Sequence, residues 1–284
     1  MVTGWMARVR QLAGRQGGCH HRMVPRIPGP MTSPGNDLLA AFRTALGVEP
    51  DVLARGVREG IVVAVCAPEE WRQHLALART LAGEEGCARA GRQRDPRRGD
   101  GLVLVYALHR LLVAAALDLD PSEVPVGRDG RGCPTVPGRV LWTSLSHADA
   151  GAAYAVCAHG PVGVDLESCR RMQDMSSIRD RIVHPGDEVV LAGLPSAAEG
   201  RALLELWVRK EAVLKAAGIG LECEMDRFCV PGDGVVPLPG GDRAGSTTQV
   251  RLLDAGPERV VAVAGPPGLE VTFLDLHPPV RLPA

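Results

Sequence analysis

Aromatic residues are scarce in this 284-residue chain. It has four Trp, two Tyr and three Phe, 3% of the total, so its core must be built mainly from Val, Leu and Ala. Net charge is lacking too: 32 Lys and Arg stand against 33 Asp and Glu, for a formal charge of −1. That balance argues against a general nucleic-acid coat, but leaves room for a local basic pocket around a phosphorylated small molecule. Cys19, Cys66, Cys87, Cys133, Cys157, Cys169, Cys223 and Cys229 include no CxxC pair and no Cys/His run with zinc-like spacing. Several lie in apolar runs such as IVVAVCA, as expected of buried reduced thiols in a cytoplasmic protein. No apolar run reads as long enough to span a bilayer, and no apolar core follows Arg8 and Arg10 as in a secretory signal. The expectation is a cytoplasmic protein with no membrane or nucleic-acid partner. Its 45% hydrophobic content suffices for one large domain or two small ones.

Residues 1–36 are rich in Gly, Pro, Arg and Met without apolar periodicity, and read as a flexible extension, with Met23 or Met31 as alternative starts. Gly60–Ala67 reads as a buried strand, and Pro68-Glu69-Glu70 as the start of a helix reaching Ala90. Arg89–Asp100 reads as a polar loop and Leu102–Leu119 as an apolar helix. Strands are expected at Arg139–His147, Gly151–His159 and Val162–Glu167. A broken helix follows over Ser176–Leu194, then a long one over Ser196–Ala217 with Gly218 as its stop. The rest reads as strands at Arg227–Val230, Gln249–Leu253, Val260–Ala264 and Glu270–Leu276. The division implied is an extension over 1–36, an N-terminal α/β half over 37–160 and a C-terminal half over 161–284.

The segment Gly163-Val164-Asp165-Leu166-Glu167 carries the first chemical signal. Residues two apart on a strand share a face, so Asp165 and Glu167 point the same way and repel unless a cation lies between them. By itself this is equally a strand end whose acids face water. The second signal is Trp207-Val208-Arg209-Lys210-Glu211-Ala212-Val213-Leu214-Lys215, where Trp207, Glu211 and Lys215 form one helical stripe. An acid and a lysine beside an indole suggest a cleft rather than open solvent. Three carboxylates, Asp165, Glu167 and Glu211, are hard oxygen ligands suited to Mg²⁺, and a nearby lysine suits phosphate.

These segments carry a resemblance. GVDLE at Gly163–Glu167, followed by WVRKEAVLK at Trp207–Lys215, resembles the paired motifs of the surfactin-type 4′-phosphopantetheinyl transferases. Ser146-His147 and the turn Gly130-Arg131-Gly132-Cys133-Pro134 match two upstream features, the turn being one residue longer than the family's. The resemblance implies an α+β fold of two pseudo-symmetric α/β halves side by side in one chain. It implies a magnesium-dependent enzyme moving 4′-phosphopantetheine from coenzyme A to a serine of an apo acyl or peptidyl carrier protein. Adenosine 3′,5′-bisphosphate would be released, in secondary metabolism, by a monomer.

Carried over by residue, the resemblance makes Asp165, Glu167 and Glu211 the metal ligands. Glu211 and Lys215 are catalytic, with Lys215 also on the phosphates. Ser146 and His147 bind the 3′-phosphate region and Arg131 lies near the nucleotide. The family's arginine at the head of the first long helix is Gly101 here, so Arg98, or its neighbour Arg97, substitutes from the preceding loop. The general base is Glu188, with Asp187 or a metal-bound water as alternatives. Arg170, Arg171, Arg179 and Arg181 are candidates to receive an acidic carrier protein. The competing readings are a metal-dependent phosphoesterase and a non-catalytic coenzyme A-binding protein.

Overall fold

The computed structural model describes residues 37–279, apart from 48–49, 125 and 241–244. The extension expected over 1–36 lies outside the described residues. Two helices, α1 (Asp37–Leu46) and α2 (Pro50–Glu59), lead into strand β1 (Gly60–Cys66). Every residue of β1 is apolar or Gly and buried, as a strand covered on both faces must be. A 3₁₀ turn over Pro68–His74 enters α3 (Leu75–Ala90), and α4 spans Pro96–Leu117. A short hairpin, β2 (Gly127–Arg128) and β3 (Pro134–Thr135), precedes β4 (Trp142–Ala148) and β5 (Gly151–Cys157). Then come β6 (Gly163–Ser168), the single turns α5 (Arg179–Ile182) and α6 (Glu188–Leu191), and the 22-residue α7 (Ser196–Ala217). Strands β7 (Gly234–Pro237), β8 (Thr247–Leu253), β9 (Arg259–Gly265) and β10 (Glu270–Leu276) complete the described chain.

The strands form two four-stranded sheets, ordered β10-β1-β5-β4 and β6-β9-β8-β7. All pairings are antiparallel except β1 with β10. Strand periodicity sorts the side chains into separate cores. Val62, Ala64 and Cys66 of β1, with Ala152, Tyr154 and Val156 of β5, pack with α4. The alternate residues Ile61, Val63, Val65, Ala153, Ala155 and Cys157 meet Val164 and Leu166 of β6 and Val261 and Val263 of β9. The second sheet buries Val250, Val260, Ala262 and Ala264 against α7. Both sheets share a connectivity: strand, long helix, then a hairpin whose second strand pairs antiparallel with the first strand. At the junction the Val164 N–H donates to Ser144 Oγ at 3.1 Å.

The mixed α+β class expected from the sequence is found; four other expectations change. α4 begins at Pro96, inside the expected loop, because the Asp95 side chain caps it by accepting from the Arg97 N–H and Pro96 occupies the first turn. Arg227–Val230 forms no strand; the segment turns to bury Val230 and feed β7. β10 pairs with β1, so the last described strand completes the first sheet across the boundary drawn at 160/161. The expectation of no span-length apolar segment is also corrected. Pro96–Leu117 is long and apolar enough to cross a bilayer, with a window of mean hydropathy 1.6, but 72% of that window is buried inside the fold as its central helix. The seven cysteines among the described residues are all free.

Candidate active site

Strand β6 lies directly against α7, and Gly163 is the reason. A Cβ at Gly163 would stand 2.0 Å from the Ala212 carbonyl oxygen and 2.5 Å from the Ala216 nitrogen, so only glycine permits this approach. Two residues on, the same face of β6 carries Asp165 to the helix. Lys215 Nζ donates to Asp165 Oδ1 at 2.7 Å and to the Val164 carbonyl at 3.0 Å. From the first sheet, Ser146 Oγ donates to the same Oδ1, also at 2.7 Å. Asp165 is thus held by β4 on one side and α7 on the other, at 4% exposure. Its second oxygen, Oδ2, is buried without a hydrogen-bond partner, a cost only a further donor or a cation at this point would remove.

Ser146, His147, Asp165, Glu167, Glu211 and Lys215 all line one cavity of about 370 Å³. Burial, then the charge of Asp165, raises the Glu211 carboxyl to about 7, against the opposing pull of Lys215. Burial and Asp165 also raise Glu167, although Arg171 is hydrogen-bonded to its Oε1 and stacks 4.9 Å over the Trp207 ring. Two carboxyls lifted by desolvation and by a neighbouring acid mark a site short of positive charge. Among the described residues no three His, Cys, Asp or Glu side chains are gathered closely enough to enclose an ion, and Lys215 occupies Asp165 Oδ1. The donor set and the orphan Oδ2 nevertheless fit a hard divalent cation.

Three polar or charged residues of this cavity stand in none of the motifs: Arg89, Tyr106 and Arg128. Arg89 Nε donates to the Tyr106 hydroxyl at 3.4 Å, and the Arg128 guanidinium sits 5.0 Å from the Tyr106 ring centre. Arg128 belongs to the same GRDGRG stretch as Arg131 and could have been weighed with it; Arg89 is one arginine of a helix with no motif. The two guanidiniums line the same cavity as the acids and bring positive charge to it. A second cavity, about 500 Å³, contains Arg97, Arg98, Gln93 and Leu102 and shares His147 with the first. Arg97, Arg98 and Gly101 line this second cavity together with His147 of the serine–histidine strand. Partial burial, then the charges of Lys215 and Arg128, lowers the pKa of His147.

Other expected site residues lie elsewhere. Glu188 is exposed and pairs with Arg179 at 2.7 Å, outside both cavities. Asp187 is fully buried against Lys210 at 2.6 Å and accepts from the Val230 and His184 N–H groups. The single turns around Pro185 point Glu188 along the outside and Asp187 into the core, so neither lines either cavity. Arg131 lines neither cavity and bonds Glu222 and the Gly218 carbonyl instead. Of the arginines offered to a carrier, Arg171 is engaged by Glu167 and Arg179 by Glu188 and Glu199; Arg170 and Arg181 are exposed.

The profile of the 4′-phosphopantetheinyl transferase superfamily matches residues 161–236, the segment from β6 through α7 to β7. The chain is 31% identical over 158 residues to the 4′-phosphopantetheinyl transferase HetI of Nostoc sp., covering 54% of this chain and 65% of that protein. It is 28% identical over 207 residues to a 4′-phosphopantetheinyl transferase of Bacillus subtilis, covering 69% and 85%. It is also 28% identical over 109 residues to the 4′-phosphopantetheinyl transferase AcpT of Salmonella typhimurium, covering 38% and 56%. The match thus spans just under two thirds of HetI. The superfamily read from the two acidic motifs is the one these matches give.

Proposed function

We propose that this chain is a 4′-phosphopantetheinyl transferase of the surfactin type, moving the phosphopantetheine arm of coenzyme A onto a serine of an apo acyl or peptidyl carrier protein. The observation that carries the reading is the convergence of Asp165, Glu167, Glu211 and Lys215 on one cavity that continues, through His147, into a second cavity bearing Arg97 and Arg98. An elongated ligand with a diphosphate in its middle and a phosphorylated nucleotide at one end suits that pair of cavities. The shared connectivity of the two sheets supports the two-half architecture, in which one chain suffices as an active cytoplasmic monomer.

Asp165, Glu167 and Glu211 would hold Mg²⁺, which when bound neutralises charge on the diphosphate. Ser146 fixes the orientation of Asp165, and Lys215 adds a point charge beside the same phosphates. Arg97 and Arg98 bind the nucleotide end. The acceptor serine oxygen attacks the β-phosphorus, the bridging P–O bond breaks, and adenosine 3′,5′-bisphosphate leaves with the bonding electrons. The serine proton needs an acceptor inside the cavity. With Glu188 and Asp187 outside it, the groups present there besides Asp165 and Glu167 are Glu211, raised to about 7, and His147. Catalysis is then mainly positioning and charge stabilisation, with no covalent enzyme intermediate.

The test is direct. Incubation with coenzyme A, Mg²⁺ and an apo carrier protein should add the mass of one phosphopantetheine to the carrier. Cleavage of coenzyme A without transfer would make the chain a phosphoesterase, and binding without either product would make it a coenzyme A-binding protein.

A further inference from the structure

The β2–β3 hairpin is joined by two ladder pairs, Gly127 with Thr135 and Arg128 with Pro134, too few to fix its place on the molecule. Its tip is stiff within itself. Asp129 Oδ1 accepts from the Arg131 and Cys133 N–H groups at 2.9 Å each, and Gly132 closes the turn at φ +82°. Two arginines anchor this small unit in opposite directions. Arg128, 17% exposed, reaches inward over Tyr106 of α4 and lines the acid cavity. Arg131 reaches across to the other half, donating from Nε to Glu222 Oε1 at 3.1 Å and from its NH1 group to the Gly218 carbonyl at 3.0 Å. Gly218 is the left-handed residue that ends α7, just after Lys215. The hairpin is thereby tied to the end of the helix that carries Glu211 and Lys215.

We propose that Arg131 and Glu222 form a latch that holds the hairpin across the cavity and so sets where Arg128 stands relative to the acids. Arg131 is on this account a positioning residue and does not touch the nucleotide. The inference rests on the cavity being the coenzyme A site. Both side chains are half exposed, at 50% and 60%, so the pair adds little to global stability. Its effect falls on the hairpin, whose other ties are Arg128 against Tyr106 and Glu85 and the packing of β3 on β4.

The full-length chain is tested as Glu222→Gln, as Arg131→Glu, and with the charges exchanged, Arg131→Glu together with Glu222→Arg. Amide hydrogen exchange over residues 127–135, without coenzyme A, should quicken severalfold in each single variant and return toward wild type in the exchanged pair. In the transfer assay the single variants should raise KM for coenzyme A by roughly 3–10-fold with kcat within about twofold, and the exchange should recover most of the loss. Unchanged hydrogen exchange in Glu222→Gln overturns the latch. So does an exchanged pair as impaired as Arg131→Glu, which would place Arg131 on the nucleotide itself. Should the wild-type chain transfer nothing, the reading of the site fails while the exchange rates still decide the latch.

Discussion

At the residue scale, Glu211 sets the balance between stability and chemistry. Folded Glu211 titrates at about 7 rather than 4.5. Between those values the folded chain keeps a proton that the unfolded chain has released, so this group lowers stability as pH rises, and above pH 7 the penalty is complete. Allowing for solvent screening it is on the order of 2 kcal/mol. Glu211→Gln should therefore melt several degrees above wild type at pH 8 and level with it near pH 4, while transfer falls by about two orders of magnitude or more. Thermal unfolding from pH 4 to 8 beside the transfer assay checks both halves of that statement. The same carboxylates predict a metal response independent of activity. Millimolar Mg²⁺ should raise the wild-type Tm and leave Asp165→Asn unmoved; a wild-type Tm indifferent to Mg²⁺ would remove the cation from the account.

At the element scale, the site depends on how α7 is held. Lys210, next to Glu211 in sequence, points the other way into the core. Its Nζ donates to the Ile182, Met225 and Phe228 carbonyls at 2.7 Å each and pairs with Asp187. Three short segments, ending at Ile182, at Asp187 and at the Met225–Phe228 turn, are thus pinned to the helix behind the cavity. Lys210→Met should cost about 3–5 kcal/mol by leaving Asp187 charged and buried, and adding Asp187→Leu should return much of that, read from denaturant midpoints. On the cavity side the contact is Gly163 against the α7 backbone. Gly163→Ala has no room at 2.0 Å from a carbonyl oxygen. It should push strand and helix apart, costing roughly 3 kcal/mol or more and most of the transfer rate. Full activity in Gly163→Ala would show that the strand–helix distance does not govern the site.

At the scale of the whole molecule, the two four-stranded sheets are not separable along the chain. β10 comes after every element of the second half, yet it lies beside β1 with Leu276 fully buried in the first core. Ending the chain after Gly268 would leave β1 without its parallel neighbour and expose the edge of the first sheet. We expect such a truncation to lose the dispersed amide NMR spectrum of both halves, since Ile61, Val63 and Val65 are shared with β6 and β9 through the core between the sheets. Retention of native signals from the second half alone would show that the intersheet core is dispensable to it.

The sequence by itself determined the parts whose cause is local. Apolar runs marked β1 and β5, Gly218 marked the end of α7, and the alternation Val164-Asp165-Leu166-Glu167 told which side chains face the core and which face the acids. Spacing on a strand put Asp165 and Glu167 on one face, spacing on a helix put Glu211 and Lys215 on one stripe, and the family resemblance of the two motifs brought the four together. Tertiary structure decided what joins segments far apart in the chain. It gave Arg89 and Arg128 to the cavity, sent Asp187 to Lys210 and Glu188 to Arg179, turned Arg131 toward Glu222, and placed β10 beside β1. Pattern along a chain reports direction relative to the backbone, whereas the partner a charged side chain meets depends on which distant segment packing has brought within a few ångströms.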